Sequence, residues 1–289
     1  MSGSLAILFA LASVALTGCC RAEPTAPTKV EVTPALWRVD AARVQAIEAT
    51  IGKQRVTLTR EDGAHAWCRI ATDVPDRAPH VVEFPVEPHS ARELFASVAA
   101  PEIVESLEEN EVDGSDELRV TFTGEPARRL IVGAPVENGR HVLDPAAHRA
   151  YVVEDRWWRT LEAAQRLLPL RNLVDRRGLE RVTLHARGRT WALALREGTW
   201  VPEGPDGAGA EPIVLAALRL RPGAFDRSID PSSLQSVLRL EFEGGAQPQT
   251  LELWTAGDDA FFIGSTRALG LAQAHHLDAR ALAAIVAAL

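Results

Sequence analysis

Leu118-Arg-Val-Thr-Phe-Thr-Gly124 followed by Arg129-Leu-Ile-Val-Gly133, and Leu238-Arg-Leu-Glu-Phe-Glu-Gly244 followed by Thr250-Leu-Glu-Leu-Trp254, decide the fold of this chain. In the first pair Leu118, Val120 and Phe122 alternate with Arg119, Thr121 and Thr123. In the second Leu238, Leu240 and Phe242 alternate with Arg239, Glu241 and Glu243. Side chains of a strand point to opposite faces in turn, so each segment buries one face and wets the other. Gly- and Pro-bearing turns join each pair into a hairpin.

Working outward, the same grammar recurs upstream of each hairpin. Val39-Asp40, Val44, Ile47, Ala49 and Gly52 precede the strand Arg55–Thr59, a Glu-Asp-Gly turn and Trp67. Val174-Asp175, Leu179, Val182, Leu184 and Gly188 precede the strand Trp191–Leu195, an Arg-Glu-Gly turn and Trp200. The spacing pairs Trp67 with Trp200 and Val56 with Trp191. Such self-similarity predicts an internal duplication.

Helices are expected at matching places. Asp155 is placed to cap a helix running to about Leu168, whose Trp157, Leu161, Ala164 and Leu168 make one apolar stripe. Asp278 is placed to cap a last helix with Leu282, Ile285, Val286 and Leu289 on one face. Shorter helices are predicted near Ala91–Ala99 and Ile213–Leu220. Strands and helices mix without strict βαβ alternation. The expected class is therefore α+β, as two tandem copies of a mainly antiparallel sheet unit with flanking helices. The units span residues 36–170 and 171–289, with the boundary near Pro169–Leu173.

The front of the chain carries an address. Leu5–Leu16, LAILFALASVAL, is uncharged and apolar. It is shorter than the about 20 residues of a membrane-spanning helix and fits the about 7–15 residues of a signal-peptide core. It runs into Leu16-Thr-Gly-Cys19, which resembles the lipobox of bacterial lipoproteins. The resemblance implies residues 1–18 as signal peptide, cleavage between Gly18 and Cys19, and a lipid on the Cys19 sulfur. An ordinary secreted leader or a buried first helix are the plainer alternatives. Met1–Ser4 lacks the usual Lys or Arg, so either the start lies upstream or the amine alone supplies the charge. Residues 19–35, with three prolines and few large apolar side chains, are expected to form an extended tether. Cys20 is not Asp, which leans toward the outer membrane. An oxidising compartment permits a Cys20–Cys68 disulfide, though nothing in the spacing requires it.

The opening Trp37-Arg-Val-Asp40, the strand-turn segment ending at Trp67, the hairpin ending Ile131-Val-Gly133 and Leu170-Arg-Asn-Leu173 together resemble a bacterial domain-of-unknown-function family. Its members are lipoproteins and membrane-anchored proteins of duplicated α+β repeats, often encoded beside gliding-type ABC transporters. The resemblance covers most of residues 36–289. It implies an envelope location and an envelope protein partner, and it brings no catalytic residues.

Composition narrows the partners. The chain of 289 residues has 31 Lys plus Arg against 39 Asp plus Glu, a net charge of −8. That balance disfavours a nucleic-acid partner. Only Lys29 and Lys53 are lysines, so the arginine excess reflects codon usage. Chemistry-bearing clusters are weak. His275, His276 and Asp278 lack the spacing of a helical zinc site, and His141 and His148 flank a turn. The acidic stretch Glu102–Glu117 lacks the ligand pattern of a calcium loop. Neither a nucleophile elbow nor a phosphate-binding glycine loop is present, and Cys68 beside Trp67 reads as a buried small residue. Arg156-Trp-Trp-Arg159 suits core packing better than a membrane-surface anchor. The expectation is a non-enzymatic envelope lipoprotein, held to the membrane by its lipid, with no metal or other cofactor and acting as an accessory or binding scaffold. The alternatives are an envelope hydrolase, with Asp258 and Asp259 among its scattered carboxylates, and a lipid- or glycan-binding module.

Overall fold

The computed structural model describes residues 34–289 except 63, 64, 109–111, 205, 206, 208, 258, 259, 269, 275 and 289. The first half runs β1 (Val44–Ile51), β2 (Gln54–Asp62), β3 (His65–Thr72), β4 (His80–Pro85), α1 (Pro88–Ala99), β5 (Ile103–Leu107), β6 (Asp116–Phe122), β7 (Glu125–Val136), β8 (Gly139–Asp144), β9 (Arg149–Val153), α2 (Arg156–Glu162) and α3 (Ala164–Leu167). The second runs β10 (Leu179–Ala186), β11 (Arg189–Arg196), β12 (Thr199–Pro202), α4 (Ala210–Ala217), β13 (Pro222–Asp226), β14 (Gln235–Gly244), β15 (Gln249–Ala256), β16 (Ala260–Ser265), β17 (Leu271–Ala274) and α5 (His276–Ala288).

These strands form a nine-stranded sheet, β4-β3-β2-β1-β6-β7-β8-β9-β5, and an eight-stranded sheet, β12-β11-β10-β14-β15-β16-β17-β13. Every described pairing is antiparallel. Apart from β4, both sheets place their strands in the same sequence of connections. The body is mostly sheet, and its helices are few and short. The expected α+β balance is met only in this looser form.

Alternation explains the cores. Leu118, Val120 and Phe122 point inward with Ile47 and Leu58 beneath α1 and α2. Leu238, Leu240 and Phe242 do the same in the second half, with α4 and α5 contributing Ile213, Val214 and Leu282. Val44 and Ile47 share this inner face although they are three residues apart. A β-bulge between Val44 and Ala46 supplies the extra residue. The second sheet repeats it between Leu179 and Arg181.

Two details of register depart from the sequence reading. Ala49 pairs with Leu118, whereas Leu184 pairs with Leu240, so Leu118 takes the place of Leu240 rather than Leu238. A shift of two residues preserves the faces, which is why alternation alone cannot detect it. The place of Phe122 thus falls to Gly244, whose φ is +92° and where an added Cβ would meet the Gly178 carbonyl oxygen at 2.3 Å. The tryptophans differ by one residue. Trp67 pairs with Thr59, and Trp200 pairs with Leu195, the counterpart of Arg60. Trp200 therefore joins the inner core near Phe242, while Trp67 lies on the opposite face of β3 from Ala66, Cys68 and Ile70.

The helix ends also differ from expectation. Glu87, extended at φ −60° and ψ 126°, accepts from the amides of His89 and Ser90 and starts α1 at Pro88. Asp155 makes no such cap, because its φ −104° and ψ 7° turn the carboxylate away from the first helical amides. Its carboxylate accepts from Arg159 at 2.6 Å instead. The helix it opens breaks at Ala163 into α2 and α3. Asp278 lies inside the first turn of α5, and Ile285 of the expected stripe is exposed. Trp157 and Trp158 are fully buried, edge to face with centroids 5.7 Å apart, so they belong to the core while Arg156 and Arg159 are exposed.

Candidate functional site

Gly18, Cys19 and Cys20 lie outside the described residues, as do His275, Asp258 and Asp259. Cys68 is a free thiol buried in the first core, and burial pushes its pKa up to about 12. His141 sits on β8 opposite Val152, and His148 occupies the following turn at φ 51°. Within the acidic stretch, Asp116 accepts from the Gly52 amide at 2.9 Å and Glu117 pairs with Arg129 at 2.7 Å. Among the described residues, no three His, Cys, Asp or Glu side chains gather as a metal site. Among them, too, no helix is long and apolar enough to cross a membrane.

Two clefts lie on the first half. A groove of about 650 Å³ runs between α1 and α2, lined by Glu93, Ser97, Arg156 and Thr160. Its hydroxyls donate to their own helices: Ser97 to the Glu93 carbonyl at 2.6 Å and Thr160 to the Arg156 carbonyl at 2.9 Å. Back-bonded hydroxyls of this kind serve helix geometry rather than nucleophilic attack. A second cleft of about 530 Å³ is lined by Arg140, Asp155 and Glu162. There the buried Arg140 guanidinium donates to the Gly133 carbonyl and to Glu162 at 2.9 Å and lies over Trp158. It holds α2 against β7.

The third region lies where the halves meet. The chain at Pro169–Leu170, leading into the second half, lies along the end of β4: Val86 bridges to Pro169, and the Leu170 amide donates to the Pro85 carbonyl at 2.9 Å. This sets β4, the edge of the first sheet, against β13, the edge of the second. Between them opens a groove of about 590 Å³ with apolar walls from Val81, Val82, Phe84, Leu170, Pro222 and Phe225. Phe225 meets Trp67 edge to face, with centroids 6.3 Å apart. The outward turn of Trp67 thus places it at the junction, a role hidden in the sequence by the bulge between Arg60 and Asp62 that adds one residue to β2.

Beside this groove lies a cleft of about 370 Å³ lined by Arg171, Arg176, Arg219 and Arg221, and none of its lining residues is acidic. Arg171 and Arg221 line both spaces. Arg171 donates one N–H to the Arg166 carbonyl at 2.8 Å, and Arg176 donates one to the Leu218 carbonyl at the C-terminal end of α4. Each guanidinium has five donors, so most of theirs point elsewhere. The nearest carboxylate in sequence, Asp175, is gripped by Arg177 at 3.0 and 2.7 Å, which holds its pKa down at about 2. Glu83, on the apolar groove, pairs with Arg69 at 3.0 Å. Such a cluster can hold an anion but offers no base or nucleophile of its own.

By composition alone these arginines are part of a general excess of Arg over Lys. Their convergence depends on α4 ending beside the inter-half segment, which no local pattern announces. Comparison with protein-family models, with curated proteins and with solved structures gives no match.

Proposed function

We propose that the chain is a cell-envelope lipoprotein that works by binding rather than by catalysis. It is cleaved after Gly18, acylated on Cys19, and carries its two-sheet body on the Pro- and Thr-bearing tether that ends at residue 35. The observation that carries this reading is the uncharged run Leu5–Leu16 leading directly into Leu16-Thr-Gly-Cys19. Several acyl chains at one amino terminus hold a protein to a membrane far more firmly than one. The body is two tandem α+β copies, 36–170 and 171–289, a reading supported by the shared strand order and the matching bulges. Its role is that of an accessory or scaffold in an envelope assembly, an ABC transporter by the family resemblance.

A second reading, a lipid-binding module, is favoured by one observation: the apolar groove between β4 and β13 opens beside the arginine cleft. The two readings are compatible in one tethered protein.

Replacement of Cys19 tests the anchor. The Cys19→Ser chain is expected to lose labelling by radioactive palmitate and to leave the detergent-soluble membrane fraction or accumulate as the longer precursor. Unchanged labelling and fractionation would refute the anchor.

A further inference from the structure

The junction groove and the arginine cleft share two residues, and together they have the shape of a recognition site with one wet end and one dry end. We propose that this composite site binds a single phosphate-headed amphiphile: the phosphate on Arg171, Arg176, Arg219 and Arg221, the hydrocarbon chain between β4 and β13. The proposal rests on the binding-module part of the reading above and names its ligand.

The argument for the head is charge. In a chain of net charge −8, four arginines line one cleft without a lining carboxylate. Nearby acids are already engaged, Asp175 by Arg177 and Glu83 by Arg69. Arg171 and Arg176 are held by carbonyl acceptors, so their forks are pre-oriented. Planar, oriented guanidinium groups match phosphate oxygens in pairs. The C-terminal carbonyls of α4 would repel an anion by themselves, and Arg176 answers them by donating to Leu218.

The argument for the chain is apolar surface with a charged mouth. Val81 is 38% exposed, a large apolar side chain left in water at the groove. The groove floor is firm, since Leu170 and Phe84 are buried and Phe225 is braced by Trp67. Its about 590 Å³ falls within the ~300–1,000 Å³ of small-molecule sites. Arg171 and Arg221 sit at the mouth, so a chain lying on Pro222 and Val82 delivers its head to them. A free phosphate would use only the cleft, and a neutral lipid only the groove.

Titration calorimetry of the full chain, purified and transferred to amphipol, tests this with inorganic phosphate, hexyl phosphate, octyl phosphate and octyl phosphocholine. Octyl phosphate is expected to bind one to one, roughly tenfold tighter than hexyl phosphate for the two added methylenes. Octyl phosphocholine and inorganic phosphate are expected to bind at least tenfold more weakly than octyl phosphate. Arg219→Gln with Arg221→Gln should weaken octyl phosphate at least tenfold, while Arg128→Gln with Arg196→Gln, which removes an equal charge from exposed positions of β7 and β11 away from the site, should not. Val81→Glu lies on the exposed wall and should weaken octyl phosphate but leave inorganic phosphate unchanged. Affinity independent of chain length would overturn the proposal in favour of a free-anion site, and equal binding of octyl phosphocholine would overturn the role of the arginines. Arginine-dependent pelleting with phosphatidic-acid vesicles, without uptake of alkyl phosphate, would replace it by docking on the bilayer surface. None of these readouts depends on acylation of Cys19, so a failed anchor and a failed site are separate results.

Discussion

Asp175 stands at the entrance to the second half, and two neighbours fix it. Arg177 clasps the carboxylate, which holds its pKa at about 2 against an ordinary 3.8. Gln249, buried from β15, clamps the backbone of the same residue: its Oε1 accepts from the Asp175 amide at 2.7 Å and its Nε2 donates to the Asp175 carbonyl at 2.9 Å. A depressed carboxylate pKa means that the folded state prefers the ionised form. The stabilisation is complete above the unfolded pKa and disappears as pH falls from 3.8 toward about 2. Urea denaturation of wild type and Asp175→Asn through this window should therefore show wild type losing stability faster, with the gap closing at its lower end. A gap constant with pH would mean that Arg177 does not stabilise the charge. Asp175 was visible in the sequence as the repeat's opening residue. Gln249 was not, because its partner is a backbone unit distant in sequence and amide clamps leave no local pattern.

At the scale of elements, periodicity is the legible signal and the β-bulge the illegible one. The stripes in β6, β14 and α2 follow from which positions are apolar, and Leu118, Leu240, Trp157 and Leu161 are buried as their spacing requires. Trp67 and Trp200 looked equivalent because both end a strand-turn segment. The one extra residue at the bulge between Arg60 and Asp62 of β2 sends Trp67 to the opposite face, since side-chain direction has a period of two. Helix caps are hidden for a related reason. An acidic residue before an apolar stripe caps only when its backbone is extended, as at Glu87 and not at Asp155. Close approach of strands is equally hidden. At the β7–β8 turn, a Cβ on Gly139 would stand 2.1 Å from the Val153 carbonyl oxygen on β9. Backbone cannot yield as a side-chain tip does, so Gly139→Ala must push β8 from β9. It should destabilise by about 1–3 kcal/mol, the usual cost of overpacking, read as a lowered urea midpoint with unchanged slope. A neutral substitution would place the two strands further apart than described.

Across the whole molecule, the halves are joined by few but two-sided contacts. Glu87 is the hinge of that arrangement: Oε2 caps α1 in the first half, while Oε1 accepts from Arg267 of the second at 2.9 Å. Arg267 also donates to the Asn172 carbonyl at 3.0 Å in the inter-half segment. On the other flank Arg227 pairs with Glu61 at 2.9 Å and lies 4.8 Å over the Trp67 ring that Phe225 braces. The same contacts set the spacing between β4 and β13, so they shape the groove as well as the fold. The Glu87–Arg267 pair is the more sheltered of the two ion pairs, with side chains 31% and 11% exposed. Sheltered, charge-assisted bonds exceed surface pairs, whose value is about 0–1 kcal/mol. A double-mutant cycle with Glu87→Gln and Arg267→Ala should thus give a coupling of about 1 kcal/mol, inside the ~0.5–3 kcal/mol of contacting residues. Glutamine keeps an oxygen for the α1 amides, so the cycle isolates the link between halves from the cap. Glu87→Ala loses both and should cost a further ~1 kcal/mol. If the single losses simply add, the halves are held by Trp67 and Phe225 without help from Glu87. In that case Phe225→Ala, rather than Arg267→Ala, would be the substitution that turns one unfolding transition into two.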